Sequence, residues 1–254
     1  LERALPCYSK KRKIFYVIKL RSLYRYLSGA VRAASDADLP DWDVYLQDPR
    51  LDPRLGDMLK DFISGQAAAT TSTYWSYLCR KNVSQLLDTK YENFKQTVAL
   101  NYFTWILDRS DPQALFLQSS IPEEAVRLAR QRAAQSKSHA FMTKEQSDFY
   151  NLLTYLIWDY TERMVGRDVM AQLTEPDEGN PPAVELNGRK ISQDLANSVL
   201  EYDSVFQGLP TPEAIRTIIE LGGGYGRTAY AFLKLIPSVR YVMVDIPPAL
   251  YIAE

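Results

Sequence analysis

The chain has 254 residues, 30 Lys or Arg against 31 Asp or Glu, a formal net charge of −1, and 46% apolar residues. That is the composition of one large or two ordinary globular domains, with no global basic field to hold nucleic acid. Two distant cysteines, Cys7 and Cys79, point to neither a disulfide framework nor a zinc site, and no apolar run approaches the ~20 residues of a spanning helix.

Residues 1–35 carry nine basic residues and one acid, a net of +8, which leaves −9 for the rest of a chain that totals −1. Val17, Leu20, Tyr24, Leu27 and Val31 recur at helical spacing, with Arg21, Arg25 and Arg32 on another face. A basic amphipathic segment of this kind, over residues 10–32, has two readings. It lies on an anionic membrane surface, or it packs on protein with its arginines in water. Lys19 interrupts the apolar stretch Ile14 to Leu20, so the pattern is not that of a secretory signal. Free thiols make a cytoplasmic setting the expectation, with peripheral membrane contact as its variant. Leu1 is not a natural start, and the chain is expected to be cut at both ends.

Residues 36–55 are rich in Asp and Pro and read as an irregular linker or an arm across the body. Residues 56–210 read as a mainly helical region. Val98, Tyr102, Trp105 and Ile106 share a helix face. Pro122 is placed at a first helical position before Glu123 and Glu124. Thr143 and Gln146 form a capping-box pattern, and Gly166 stops the apolar helix that runs from Phe149 to Val165. Its Trp158 and Tyr160 are expected in the core, with a sugar-stacking platform as the minority reading. His139, the single histidine, is a candidate general base, but its polar surroundings favour a solvated loop or cap. No His, Asp and Glu cluster has metal-ligand spacing, so no metal is expected. Residues 174–190 read as a loop. Ser192 to Gln207 reads as a helix stopped by Gly208, Pro210 and Pro212.

The most informative stretch begins at residue 211. An apolar run from Ile215 to Ile219 reads as a strand and leads into Glu220-Leu221-Gly222-Gly223-Gly224-Tyr225-Gly226. A helical pattern follows from Thr228 to Leu235, then a second apolar run from Val239 to Val244 that ends in Asp245. Strand, glycine turn, helix, strand and terminal acid open a nucleotide-binding α/β unit. The spacing is wrong for a dinucleotide. Counted from Gly222 the sixth position is Arg227, and counted from Gly223 the third is Tyr225. What fits is acid-x-Gly-x-Gly-x-Gly, which resembles the first motif of S-adenosylmethionine (SAM) methyltransferases. In such a turn, missing Cβ atoms let the backbone approach the cofactor. A carboxylate such as Asp245 offers two acceptor oxygens to a ribose diol. The cofactor-binding candidates are Glu220, Gly222, Gly223, Gly224, Gly226 and Asp245.

Three blocks together resemble a family of sugar O-methyltransferases. They are Glu175 to Pro181; Ile191 to Ser198 with Glu201-Tyr202; and Glu220 to Arg227 with Asp245-Ile246-Pro247-Pro248-Ala249-Leu250-Tyr251. The resemblance covers residues 170–254, about a third of the chain. It implies a Rossmann-like methyltransferase domain, truncated here to residues 211–254. It further implies SAM as cofactor and methyl transfer to a sugar hydroxyl during polysaccharide or glycolipid assembly. Under it, Gln193, Asn197 and Glu201 either approach the cofactor or simply belong to the helix before the first strand. The general base is expected downstream, so this piece is expected to be inactive alone and no catalytic residue is assigned. Self-association is an open alternative. So are a dinucleotide-dependent oxidoreductase or epimerase, and a non-enzymatic helical interaction module.

Overall fold

The computed structural model of the protein describes residues 39–65, 73–96, 109–207 and 214–254. The basic N-terminal segment, the face of Val98, Tyr102, Trp105 and Ile106, and the stop at Gly208, Pro210 and Pro212 lie outside the described residues.

The first helices are α1 (Trp42–Leu46), α2 (Pro53–Ile63) and α3 (Thr73–Thr89), and a 3₁₀ turn, Tyr91–Asn93, follows them. The interval 36–55, which reads as irregular from sequence, therefore carries α1 and the start of α2. Its Asp and Pro residues start helices instead of breaking them. Asp52 accepts a hydrogen bond from the Arg54 amide at 2.9 Å, and Pro53 occupies the first helical position. Tyr45 and Leu55 are buried, so this stretch is part of a core and not an arm across it.

Next come α4 (Pro112–Ser120), α5 (Glu123–Gln135), α6 (Lys144–Val165) and α7 (Arg167–Ala171). Pro122 proves to be the cap of α5, one residue outside the helix, with Glu123 and Glu124 in the first turn. Thr143 and Gln146 exchange both capping-box bonds at the start of α6, and Gly166, at φ 96°, ends it. Leu153, Leu156, Ile157 and Trp158 of α6 are buried against Ala114 and Leu117 of α4 and Ala129 and Ala133 of α5.

The stretch 174–190 is not all loop. Strands β1 (Val184–Leu186) and β2 (Arg189–Ile191) pair antiparallel across Asn187-Gly188. Both turn residues have positive φ, 53° and 73°, the geometry of a two-residue type I′ hairpin. Val184, Leu186 and Ile191 are buried in the same core as α6. Ser192 then caps α8 (Gln193–Phe206) by accepting from the Leu195 amide at 3.0 Å.

The chain closes with β3 (Thr217–Leu221), α9 (Arg227–Leu235), β4 (Arg240–Val244) and α10 (Pro247–Ala253). β3 and β4 are parallel, with Ile219 beside Val242 and Leu221 beside Val244. A parallel pair needs a crossover, and α9 supplies it. Phe232 of α9 meets the Tyr241 ring edge-on, which fixes the face that carries Tyr241, Met243 and Glu220 toward the helix. The opposite face leaves Ile219 72%, Leu221 84% and Val244 46% exposed. The βαβ unit is not a separate body. α9 packs on α8, and Ile246, Ala249 and Ile252 join a core with Leu55 and Leu59 of α2 and Cys79, Val83 and Leu86 of α3.

Candidate functional site

Four glycines make the turn between β3 and α9, and they do so for different reasons. Gly222, Gly224 and Gly226 have φ of 78°, 58° and 86°, where an L side chain is strained. A Cβ on Gly222 or Gly224 would meet nothing within 4 Å, so the backbone there faces open space. Gly223 is needed for packing: a Cβ would lie 2.7 Å from Met243 Cε and 2.9 Å from Glu220 Oε2.

Asp245 reaches back across 21 residues to this turn. Its Oδ2 accepts from the Gly224 amide at 2.6 Å and its Oδ1 from the Ile246 amide at 2.7 Å. Glu220 sits behind the turn, on the α9 side. Its Oε2 accepts from the Tyr241 hydroxyl at 3.0 Å, and burial is the main cause of a carboxyl pushed above the usual range.

The three resembling blocks converge on Tyr225 and Arg227. The Tyr225 hydroxyl donates to Asp194 Oδ2 at 3.2 Å. Burial is the largest cause that holds this phenol well above its ordinary range, with Asp194 and Glu175 adding to it. Arg227 donates to Ser198 Oγ at 2.8 Å and to Glu201 Oε1 at 3.0 Å, and Thr228 donates to Glu201 Oε2 at 2.9 Å. Glu175 is buried against Lys95 Nζ at 2.7 Å and accepts from Ser192 Oγ at 2.5 Å. Lys95 lies 80 residues before Glu175, in no motif, and nothing in the sequence marks it. A cavity of about 790 Å³ adjoins the turn, with Tyr91, Lys95, Tyr225, Arg227, Tyr241 and Met243 among its walls.

Of Gln193, Asn197 and Glu201, only Glu201 faces the turn region, beside Asp194 and Ser198 of the same helix. Gln193 donates to the Tyr150 carbonyl at 3.1 Å, and Asn197 accepts from Gln113 at 2.9 Å, both within the helical core. His139 is likewise placed elsewhere. Its Nε2 pairs with Asn151 Oδ1 at 2.8 Å, and its ring stands edge-on to Tyr150 at 5.2 Å. Burial lowers its pKa below 6.5. The neutral ring is therefore favoured on folding. The stability this contributes is present above pH 6.5 and is lost as pH falls through the lowered value. As the single imidazole of the chain, it should give one NMR titration with its midpoint below 6.5; a midpoint at or above 6.5 would refute the burial argument.

The Cys79 thiol is buried and pushed upward by that burial, so it is a core side chain. Among the described residues no three His, Cys, Asp or Glu are grouped to hold a metal, and no helix is long and apolar enough to cross a membrane. Compared with known protein families, curated proteins and solved structures, the chain matches none.

Proposed function

We propose that this chain carries the SAM-binding part of a Rossmann-like methyltransferase acting on a sugar hydroxyl. The observation that carries the reading is the meeting of Asp245 with the Gly224 amide at 2.6 Å. It brings the strand-end acid of β4 beside the open backbone of Gly222 and Gly224, where a ribose and an amino-acid moiety would lie. Charge favours SAM over a dinucleotide. Five carboxyl groups, Asp194, Glu201, Glu220, Asp245 and Glu175, surround residues 223–228, against two cations, Arg227 and Lys95. A carboxylate-rich turn suits a ligand with a sulfonium and an ammonium and repels a diphosphate. The sugar acceptor rests on the resemblance of the three blocks, and their convergence on Tyr225 and Arg227 supports reading them as one unit.

The chemistry asks mainly for position. The acceptor oxygen, methyl carbon and sulfur must lie in line, and a base must take the hydroxyl proton. The residues in hand serve the cofactor side: Asp245 for the ribose hydroxyls, the uncovered backbone of Gly222 and Gly224 for close approach, and Glu220 as support behind Gly223. Titration calorimetry with SAM, its demethylated product and NAD tests the reading. SAM and its product should bind and NAD should not; the reverse order would sink the proposal. Asp245→Ala should weaken SAM binding by about 1.5–3 kcal/mol, roughly 10- to 150-fold, the scale of hydrogen bonds to a charged group. A folded variant with parental affinity would remove Asp245 from the site.

A further inference from the structure

We propose that Lys95 is a positioning residue for the glycine turn and acts through the ring of Tyr225. This rests on the reading that the turn holds SAM. Lys95 and Glu175 are 3% and 5% exposed, so both charges are withdrawn from water. The Lys95 ammonium sits 2.7 Å from Glu175 Oε1 and 5.1 Å from the centre of the Tyr225 ring. Phe94 packs on the same ring, with centroids 5.4 Å apart. The tyrosine is thus held by an ammonium, a neighbouring ring and a hydroxyl bond to Asp194.

Tyr225 stands between Gly224 and Gly226, both at positive φ and neither with a side chain to anchor it. Asp245 holds the Gly224 amide, and the Tyr225 ring is the side chain that anchors the next residue of the turn to the body of the protein. A buried ion pair is a poor device for stability alone, because well-packed apolar residues of similar volume usually serve as well. Its contact with the turn gives it a second task. A desolvated cation on the ring face holds Tyr225 in one orientation, and the uncovered backbone of Gly224 beside it then meets the cofactor already arranged.

The test separates holding the turn from holding the fold. Lys95→Met leaves Glu175 buried and unpaired and should destabilise the protein. The double variant Lys95→Met with Glu175→Leu removes both charges and should recover most of that stability. If Lys95 positions the turn, the double variant should still bind SAM at least 10-fold more weakly than the parent at matched stability. Tyr225→Leu keeps the ion pair and removes the ring, and it should show a similar loss. Adding Lys95→Met and Glu175→Leu to it should bring little further loss, as expected for groups acting through one another. Parental affinity in the double variant, or in Tyr225→Leu, would overturn the inference while leaving the SAM reading intact. Should the double variant not fold, Tyr225→Leu alone decides. A parent that binds no SAM refutes the cofactor reading, and the inference falls with it.

Discussion

Gly179→Ala is expected to lower the unfolding free energy by about 2–5 kcal/mol, although the position is on an irregular segment. Gly179 has φ 76°, and a Cβ there would lie 2.5 Å from Phe94 Cε1 and 2.7 Å from two more ring atoms. The ring is hemmed in by two others. Phe94 is buried, with Tyr91 at 5.6 Å and Tyr225 at 5.4 Å between centroids. The Gly179 carbonyl also accepts from the Lys95 amide at 2.9 Å, so the two segments cannot simply part. Forcing a methyl into a filled site costs about 1–3 kcal/mol, and the left-handed backbone adds about 1–2 kcal/mol. Gly188→Ala is the control. Its φ is 73°, but nothing lies within 4 Å of the added carbon, so only the backbone penalty applies. Urea denaturation of both variants checks the argument. Equal losses would mean that the Phe94 ring moves aside. Because Phe94 touches Tyr225, a folded Gly179→Ala protein should also bind SAM more weakly.

The glycine turn and its flanks are legible because local rules fix them. A strand must stop where Gly222 takes positive φ, and the crossover to a parallel partner requires a helix. β3 and β4 fall within two residues of the runs read from the sequence. The capping box at Thr143 is legible for the same reason: its partners are three residues apart. The hairpin at Asn187-Gly188 is less so. Its strands have three residues each, and Glu185, Arg189 and Lys190 break the apolar signal, although the turn dipeptide is itself a hairpin signature. Residues 36–55 mislead because Asp and Pro start helices as readily as they interrupt them, and only the burial of Tyr45 and Leu55 decides. No spacing rule links Lys95 to Glu175 across 80 residues, or Gln113 to Asn197 across 84. Those pairs are products of packing. Asp245 is legible in place but not in orientation: its reach toward the Gly224 amide depends on the parallel register.

Arg227→Met should cost about 2–3 kcal/mol in stability, and the cost should grow with pH. The guanidinium is the shared donor for Ser198 Oγ, Glu201 Oε1 and the Asp194 carbonyl, at 2.8, 3.0 and 3.4 Å. Methionine fills the stem but leaves these acceptors without it. Breaking a fully enclosed pair costs about 3–5 kcal/mol. The two side chains here are 25% and 26% exposed, so water recovers part of that loss. The pH dependence follows from Glu220. Burial is the main cause of its raised pKa, Glu201 and Asp245 raise it further, and Arg227 opposes them. Without Arg227 the folded-state value rises again. A carboxyl raised on folding contributes stability that is complete below its unfolded value, near 4.5, and is lost as pH rises through the folded value. The gap between parent and variant should therefore be smaller at pH 5 than at pH 8. Denaturation curves at the two pH values, with Glu220→Gln added to remove the titrating group, give the answer. With Glu220→Gln present the gap should change less with pH. A gap that is the same at both pH values in the Arg227→Met protein itself would mean that Arg227 acts through its hydrogen bonds alone and not through its charge on the carboxylates around the turn.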